Sequence, residues 1–161
     1  MRPIEKNDMV SFDTDLIGPY GYCSDFSRAW VCGGRSSDEQ CQLYTKAYEQ
    51  IEHNISVLKA GMSFREVSEK CWPIPDEFFS HRYSSLIHGV GLADEYPSIK
   101  HWKDFESRGF DGMIEPGMTL CVESFIGTEG GREGVKLEEQ VIVTENGVER
   151  QSSYPFEMDM L

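Results

Sequence analysis

Long apolar runs are missing from these 161 residues. Nothing approaches the roughly 18–20 consecutive apolar residues that a membrane-spanning helix needs. The opening Met1-Arg2-Pro3-Ile4-Glu5-Lys6 has no apolar segment of the kind that makes a signal peptide. Basic charge is scarce. There are 15 Lys and Arg against 28 Asp and Glu, a formal net charge of −13, and the cations are scattered, which argues against a nucleic-acid surface. No Cys-x-x-Cys pair occurs and the cysteine count, five, is odd. A zinc knuckle or a disulfide framework is therefore not expected, and Cys23, Cys32, Cys41, Cys71 and Cys121 read as reduced thiols of a cytoplasmic protein. Internal repeats and low-complexity segments are also lacking.

What is present suits one domain with a real core: 39% hydrophobic residues, with nine Phe, seven Tyr and three Trp. The acidic excess fits a well-solvated surface. It equally fits carboxylates gathered around cations, since two divalent ions would take −13 to −9.

Residues 9–16 alternate, with Val10, Phe12, Thr14 and Leu16 on one face and Ser11, Asp13 and Asp15 on the other. Gly18-Pro19-Tyr20-Gly21 predicts a turn, and a second strand over about 22–31 completes a hairpin whose large apolar residues suggest close packing. Ser36 with Glu39 forms a capping box for a helix running to about Leu58, with Leu43, Ala47, Ile51 and Ile55 on one stripe. Ser63 with Glu66 opens a second helix that Pro73 and Pro75 end or interrupt. Residues 83–111 read as irregular. Strands follow over 118–126 and 135–143, and Asn146-Gly147 signals a last hairpin. This order, hairpin, helices, loop and β-meander, is α+β.

Two acids on one strand face are unusual in a packed sheet. A turn centred on Tyr20 puts Asp15 opposite Asp25, and like charges directly opposite repel unless a cation lies between them. An exposed acidic face is the other reading. Glu123 and Glu138 each sit in an otherwise apolar strand, where an unpaired charge is costly. His88 lies in His88-Gly89-Val90-Gly91, where glycine lets the backbone approach closely. A lone histidine there is also an ordinary structural residue. Together these donors form a hard, oxygen-rich set suited to Fe(II), Mn(II), Co(II) or Zn(II).

In that order the residues resemble the pita-bread metallopeptidases: methionine aminopeptidase, prolidase, aminopeptidase P and creatinase. Four stretches carry the match. They are Phe12-Asp13-Thr14-Asp15 to Ser24-Asp25-Phe26-Ser27-Arg28, His88-Gly89-Val90-Gly91-Leu92, Glu115-Pro116-Gly117-Met118 to Glu123, and Val135-Lys136-Leu137-Glu138-Glu139 to Thr144-Glu145-Asn146-Gly147. Three departures stand out. The family's first two ligands are eleven apart, whereas Asp13 and Asp15 precede Asp25 by twelve and ten. The second histidine, seven residues after the ligand histidine, is replaced by Glu95. Glu123 is followed by serine rather than proline. The Asp-Thr-Asp-Leu-Ile-Gly opening, His-Gly-Val-Gly-Leu-x-Asp-Glu and Pro-Gly-Met-Thr-Leu-Cys-Val-Glu are similar to one branch, the dimethylsulfoniopropionate (DMSP) lyases of the DddP type.

The resemblance implies a pita-bread fold with a curved antiparallel sheet and flanking helices. Residues 1–161 would supply its C-terminal part, without the N-terminal half of the fold or any N-terminal domain, and the full-length form would be a homodimer. It implies two divalent metals, iron foremost, with Zn, Mn or Co as alternatives, held by Asp13, Asp15, Asp25, His88, Glu123 and Glu138. Asp94 would be the general base and Tyr83 would line the substrate pocket. The partner is then a small molecule, with neither nucleic acid nor membrane involved. A cationic sulfonium suits aromatic faces, and Trp72, Phe78, Phe79 and Trp102 also flank the His88 segment, where most of them read as ordinary core. An Xaa-Pro peptidase of the same fold and an inactive, truncated relative are the other readings.

Overall fold

The computed structural model describes residues 2–161. The chain opens with four short strands, β1 (Met9–Asp13), β2 (Leu16–Ile17), β3 (Cys23–Ser24) and β4 (Ser27–Val31). They form one interrupted antiparallel hairpin. Asp13 pairs with Ser27 and Leu16 with Ser24, so both halves centre on Tyr20, as the sequence predicts. Tyr20 and Gly21 adopt positive φ (62° and 82°), which reverses the chain there.

The hairpin is not closely packed on both faces. Its polar face lies down on the main sheet, through Lys136 N to Ser11 Oγ (3.3 Å) and Ser27 Oγ to Glu138 Oε2 (2.9 Å). Its other face carries Phe12, Leu16 and, at the tip, Ile17, Tyr20 and Tyr22, all more than half exposed. Alternation correctly divided the faces, but the apolar one is covered only in part: Thr14 and Arg28 are buried, while Phe12 and Leu16 are left exposed.

Helix α1 (Asp38–Val57) starts one residue later than expected: Ser37 and Gln40, not Ser36 and Glu39, make the capping box. Gln40 is buried, and its Nε2 donates to the Asn7 carbonyl at 2.9 Å, a tertiary bond that selects this box over its neighbour. Helix α2 (Phe64–Lys70) has the predicted Ser63–Glu66 box and stops before Pro73. A single turn, α3 (Asp76–Phe79), follows.

Residues 83–111 are not irregular. They contain β5 (Ile87–Val90), β6 (Asp94–Ile99) and α4 (Trp102–Arg108). A Cβ at Gly89 would overlap the Tyr96 carbonyl, so glycine is what lets β6 lie beside β5. Pro97 is tolerated because β6 is an edge strand. Strands β7 (Thr119–Gly127), β8 (Gly134–Thr144) and β9 (Gly147–Arg150) complete a five-stranded antiparallel sheet of order β6-β5-β7-β8-β9. The last hairpin has the two-residue loop Glu145-Asn146, with Gly147 already in β9.

The long strands sort their side chains by alternation. Leu120, Val122 and Ile126 of β7, with Val135, Leu137 and Val141 of β8, face α1 and are buried with its Leu43, Tyr44, Ala47 and Ile51. Each Val, Leu or Ile among them contributes about 1.5–3 kcal/mol on burial. The opposite face carries Cys121, Glu123, Lys136, Glu138 and Gln140. This polar face lies beneath the hairpin. Among the described residues no helix is long and apolar enough to cross a membrane.

Candidate metal centre

The ladder itself assembles the centre. Glu123 and Glu138 are directly opposed on β7 and β8, and His88 on β5 is opposed to Cys121. Opposed acids on one buried face are destabilising alone, so the surroundings must supply positive charge. His88 supplies part of it: Nε2 lies 3.1 Å from Glu123 Oε1, 3.4 Å from Glu138 Oε1 and 3.7 Å from Asp25 Oδ2.

Lys136 supplies the rest. Two residues before Glu138, it shares that residue's face of β8. Its Nζ lies 2.6 Å from Glu123 Oε2, 3.1 Å from Glu138 Oε2 and 3.3 Å from Asp13 Oδ2. It also donates to Ser27 Oγ at 3.0 Å and stands 4.5 Å from the centre of the Tyr83 ring. Ser27 in turn donates to Asp13 Oδ1 at 2.5 Å. Arg28 fixes the hairpin's position, donating to the carbonyl of Glu138 at 2.6 Å on the part of β8 that β9 leaves unpaired, and to Glu139 Oε2 at 2.9 Å.

Asp13, the last residue of β1, and Asp15, between β1 and β2, both reach the site, in different places. Asp13 sits with Ser27 and Lys136. Asp15 has a carboxylate oxygen within 4.8 Å of others from Asp25 and Asp94. Asp25, His88, Cys121 and Glu138 form a second such group, and Asp25 belongs to both. Asp94 Oδ1 lies 3.7 Å from His88 Nδ1, and Tyr83 Oη donates to Glu95 Oε1 at 3.3 Å. All eight residues singled out in the sequence therefore converge. Trp72, Phe79 and Trp102 do not: they line a separate cavity with Cys71 and His101, and Phe78 belongs to the core.

Electrostatics reflect this crowding. Burial pushes Asp25 up to about 8, and the charges of Glu138, Asp15 and Asp13 push the same way. Burial also raises Glu123, to about 7, although its hydrogen bond to His88 opposes this. Burial would lower His88, but its hydrogen bonds to Glu123 and Glu138 win and lift it to about 11. Glu138 is shifted down: burial opposes this, and the His88 bond, the Lys136 charge and the Ser27 bond outweigh it.

Do these residues fit divalent ions? Asp25 Oδ1, Glu123 Oε2 and Glu138 Oε1 are buried and have no hydrogen-bond partner among the described residues. Lys136 Nζ stands 2.6 Å from Glu123 Oε2 and ion-pairs it, so the oxygens left bare are Asp25 Oδ1 and Glu138 Oε1. Buried carboxylate oxygens without partners are expensive. Two of them, one between β3 and β4 and one on β8, beside the Glu123 carboxylate and one imidazole, form a set that divalent cations satisfy.

The sequence reading missed Ser27, Lys136 and Cys121. Period-two alternation from Glu138 and Glu123 would have put Lys136 and Cys121 on the same face. Ser27 is visible only through the register of the hairpin.

The profile of metallopeptidase family M24 matches residues 1–145. A protein of Roseovarius nubinhibens named dimethylsulfoniopropionate lyase DddP is 41% identical over 157 residues, covering 97% of this chain and 35% of that protein. Among solved structures, prolidase from Pyrococcus furiosus superposes with a TM-score of 0.75 at 27% identity, covering 94% of this chain and 43% of the other. Xaa-Pro dipeptidase from Bacillus anthracis gives 0.74 at 29% identity, covering 95% and 41%. The chain thus spans about a third of the length of the lyase it matches.

Proposed function

The chain belongs to metallopeptidase family M24, whose members have the pita-bread fold and use divalent metals, and from that premise we propose that it is a metal-dependent lyase. Its reaction is the cleavage of DMSP to dimethyl sulfide and acrylate. The observation that carries this reading is Asp94, a half-buried carboxylate 3.7 Å from His88, followed by Glu95 where the peptidases have their second histidine. The 41% identity to a protein named as a DMSP lyase points the same way.

Asp13, Asp15, Asp25, His88, Glu123 and Glu138 would hold two divalent ions, iron being the proposed metal. When bound, such ions hold the substrate carboxylate and acidify the proton on the adjacent carbon. Asp94 takes that proton. The C–H electron pair becomes the new carbon–carbon double bond, the carbon–sulfur bond breaks, and neutral dimethyl sulfide leaves with that bond's electrons. The partly exposed position of Asp94 then lets its proton pass to water. Tyr83 lines the same side of the site.

Hydrolysis of Xaa-Pro dipeptides is the second reading, favoured by the likeness to prolidase and Xaa-Pro dipeptidase. One sample, with its metal content measured, separates the two when given DMSP and Xaa-Pro dipeptides. Release of dimethyl sulfide is expected. A metal-replete, folded sample that cleaves only the dipeptides sinks the lyase reading. Asp94→Ala should lose about 100-fold or more of elimination with its metal content intact. Full activity in that variant removes Asp94 as the base.

A further inference from the structure

We propose that Cys121 is a sulfur donor of the candidate centre, so that one of its two ion positions takes a thiophilic divalent cation through sulfur, imidazole nitrogen and carboxylate oxygen. This deepens the reading above and rests on it only for the presence of metal, not for the reaction.

The ladder places the thiol. Leu120 and Val122 of β7 face α1, which leaves Cys121 on the face of Glu123. Its neighbours across the sheet are His88 on β5 and Gln140 on β8. Cys121 Sγ donates to the Asp25 carbonyl at 3.3 Å, and Gln140 Oε1 accepts the Asp25 N–H at 3.1 Å. This row of the sheet therefore holds the Asp25 backbone against the thiol. Asp25, His88, Cys121 and Glu138 each offer one donor atom, all within 4.8 Å of one another, and none of the four residues is more than 3% exposed. Tetrahedral ligands with bonds of about 2.0–2.3 Å stand about 3.3–3.8 Å apart, so small side-chain shifts close this set around an ion.

A buried cysteine by itself is an ordinary small apolar residue. Two observations set Cys121 apart. It lies on the polar face of β7, although the apolar face is the one that packs on α1. Its companions Asp25 and Glu138 each keep a buried oxygen, Oδ1 and Oε1, without a hydrogen-bond partner among the described residues. One cation meets both oxygens, the imidazole and the sulfur. On binding, the ion takes the place of the thiol proton, which passes to water. The other group of possible donors, Asp15 with Asp25 and Asp94, offers oxygen alone. Thiolate and imidazole favour zinc, whereas carboxylates alone suit manganese. The hard, oxygen-rich set read from the sequence thus omits the one donor that makes the two positions unequal.

X-ray absorption on the zinc-loaded chain should show a sulfur neighbour about 2.3 Å from zinc. The cobalt-loaded chain should show a sulfur-to-cobalt charge-transfer band in the near ultraviolet. Cys121→Ser should lose that band, and Cys23→Ser, altered at a partly exposed thiol two residues from Asp25, should keep it. Serine can still donate to the Asp25 carbonyl, so Cys121→Ser removes the sulfur and retains the hydrogen bond. In competition with a chelating dye, its zinc affinity should fall about tenfold or more and its manganese affinity less than about threefold. A zinc shell of nitrogen and oxygen alone, a band unchanged in Cys121→Ser, or equal losses for the two ions overturns the proposal. The zinc shell is read on the unaltered chain, so it decides even where Cys121→Ser fails to fold. A chain that binds none of these ions sinks the sulfur donor and the metal centre together. Release of dimethyl sulfide from a chain with no sulfur at its zinc keeps the lyase and sinks the donor, whereas a sulfur neighbour without release does the reverse.

Discussion

Lys136 shows what a single residue decides here. Its Nζ touches three carboxylates and a hydroxyl while only 6% of the residue is exposed. Burial would strip the ammonium of its proton, but the charges of Glu123 and Glu138 outweigh it, and the pKa is raised. The ammonium therefore balances an acidic site before any metal arrives. Removing one partner from a buried ionic cluster costs about 3–5 kcal/mol, because the remaining charges are left uncompensated. In Lys136→Met the metal-free chain should lose about that much stability on chemical denaturation. Added divalent metal should narrow the gap to wild type. An equal loss with and without metal would mean that Lys136 acts through packing alone.

At the scale of elements, the sequence was most legible where one local signal had no competitor. Ser63 with Glu66 predicted the start of α2, and the Tyr20 turn fixed the register that puts Asp15 across from Asp25. Ser36-Ser37-Asp38-Glu39-Gln40 holds two possible boxes, and only the distant bond from Gln40 to Asn7 chooses between them. Strands β5 and β6 were missed because strands of four and six residues interrupted by glycine or proline show no clear alternation, and helix α4 because seven residues are too few to show a helical period. Glu123 and Glu138 of the candidate centre were legible for the opposite reason, since charges inside apolar strands stand out. Helix α4 carries its own prediction. His101, its N-cap, is 5% exposed and packs edge-on against Phe79. Burial, then the nearby Arg82 charge, pushes it down to about 4, against about 6.5 when unfolded. The unfolded chain thus binds this proton more readily, and stability falls as pH drops from about 6.5 to about 4. The gap corresponds to about 3 kcal/mol. Carboxylates titrate in the same range, so the measurement is a difference: wild type should lose about that much more than His101→Gln between pH 7 and pH 4. Parallel losses would assign the transition to other groups.

The whole molecule carries a formal charge of −13, and six of its 28 acidic residues, Asp13, Asp15, Asp25, Asp94, Glu123 and Glu138, gather where hairpin and sheet meet. Like charges held together oppose the compact state. Salt weakens that opposition for exposed charges, over a screening length of about 8 Å at 0.15 M, but reaches the buried Glu123, Glu138 and Asp25 far less. Metal and salt therefore act on different parts of the same charge. A divalent ion that binds only the folded chain stabilises it by about 2.7 kcal/mol at a hundredfold excess over its Kd. For a chain of this size that raises Tm by roughly 5–10 °C. Stripping the metal with a chelator should reverse the rise. Raising salt from about 0.01 M to about 0.15 M should stabilise the metal-free chain, yet it should not replace the metal, because the opposed acids on β7 and β8 are shielded from it. A Tm insensitive to every divalent ion tried, or one restored fully by salt, would show that His88 and Lys136 already neutralise the centre and that the unpartnered oxygens need no cation.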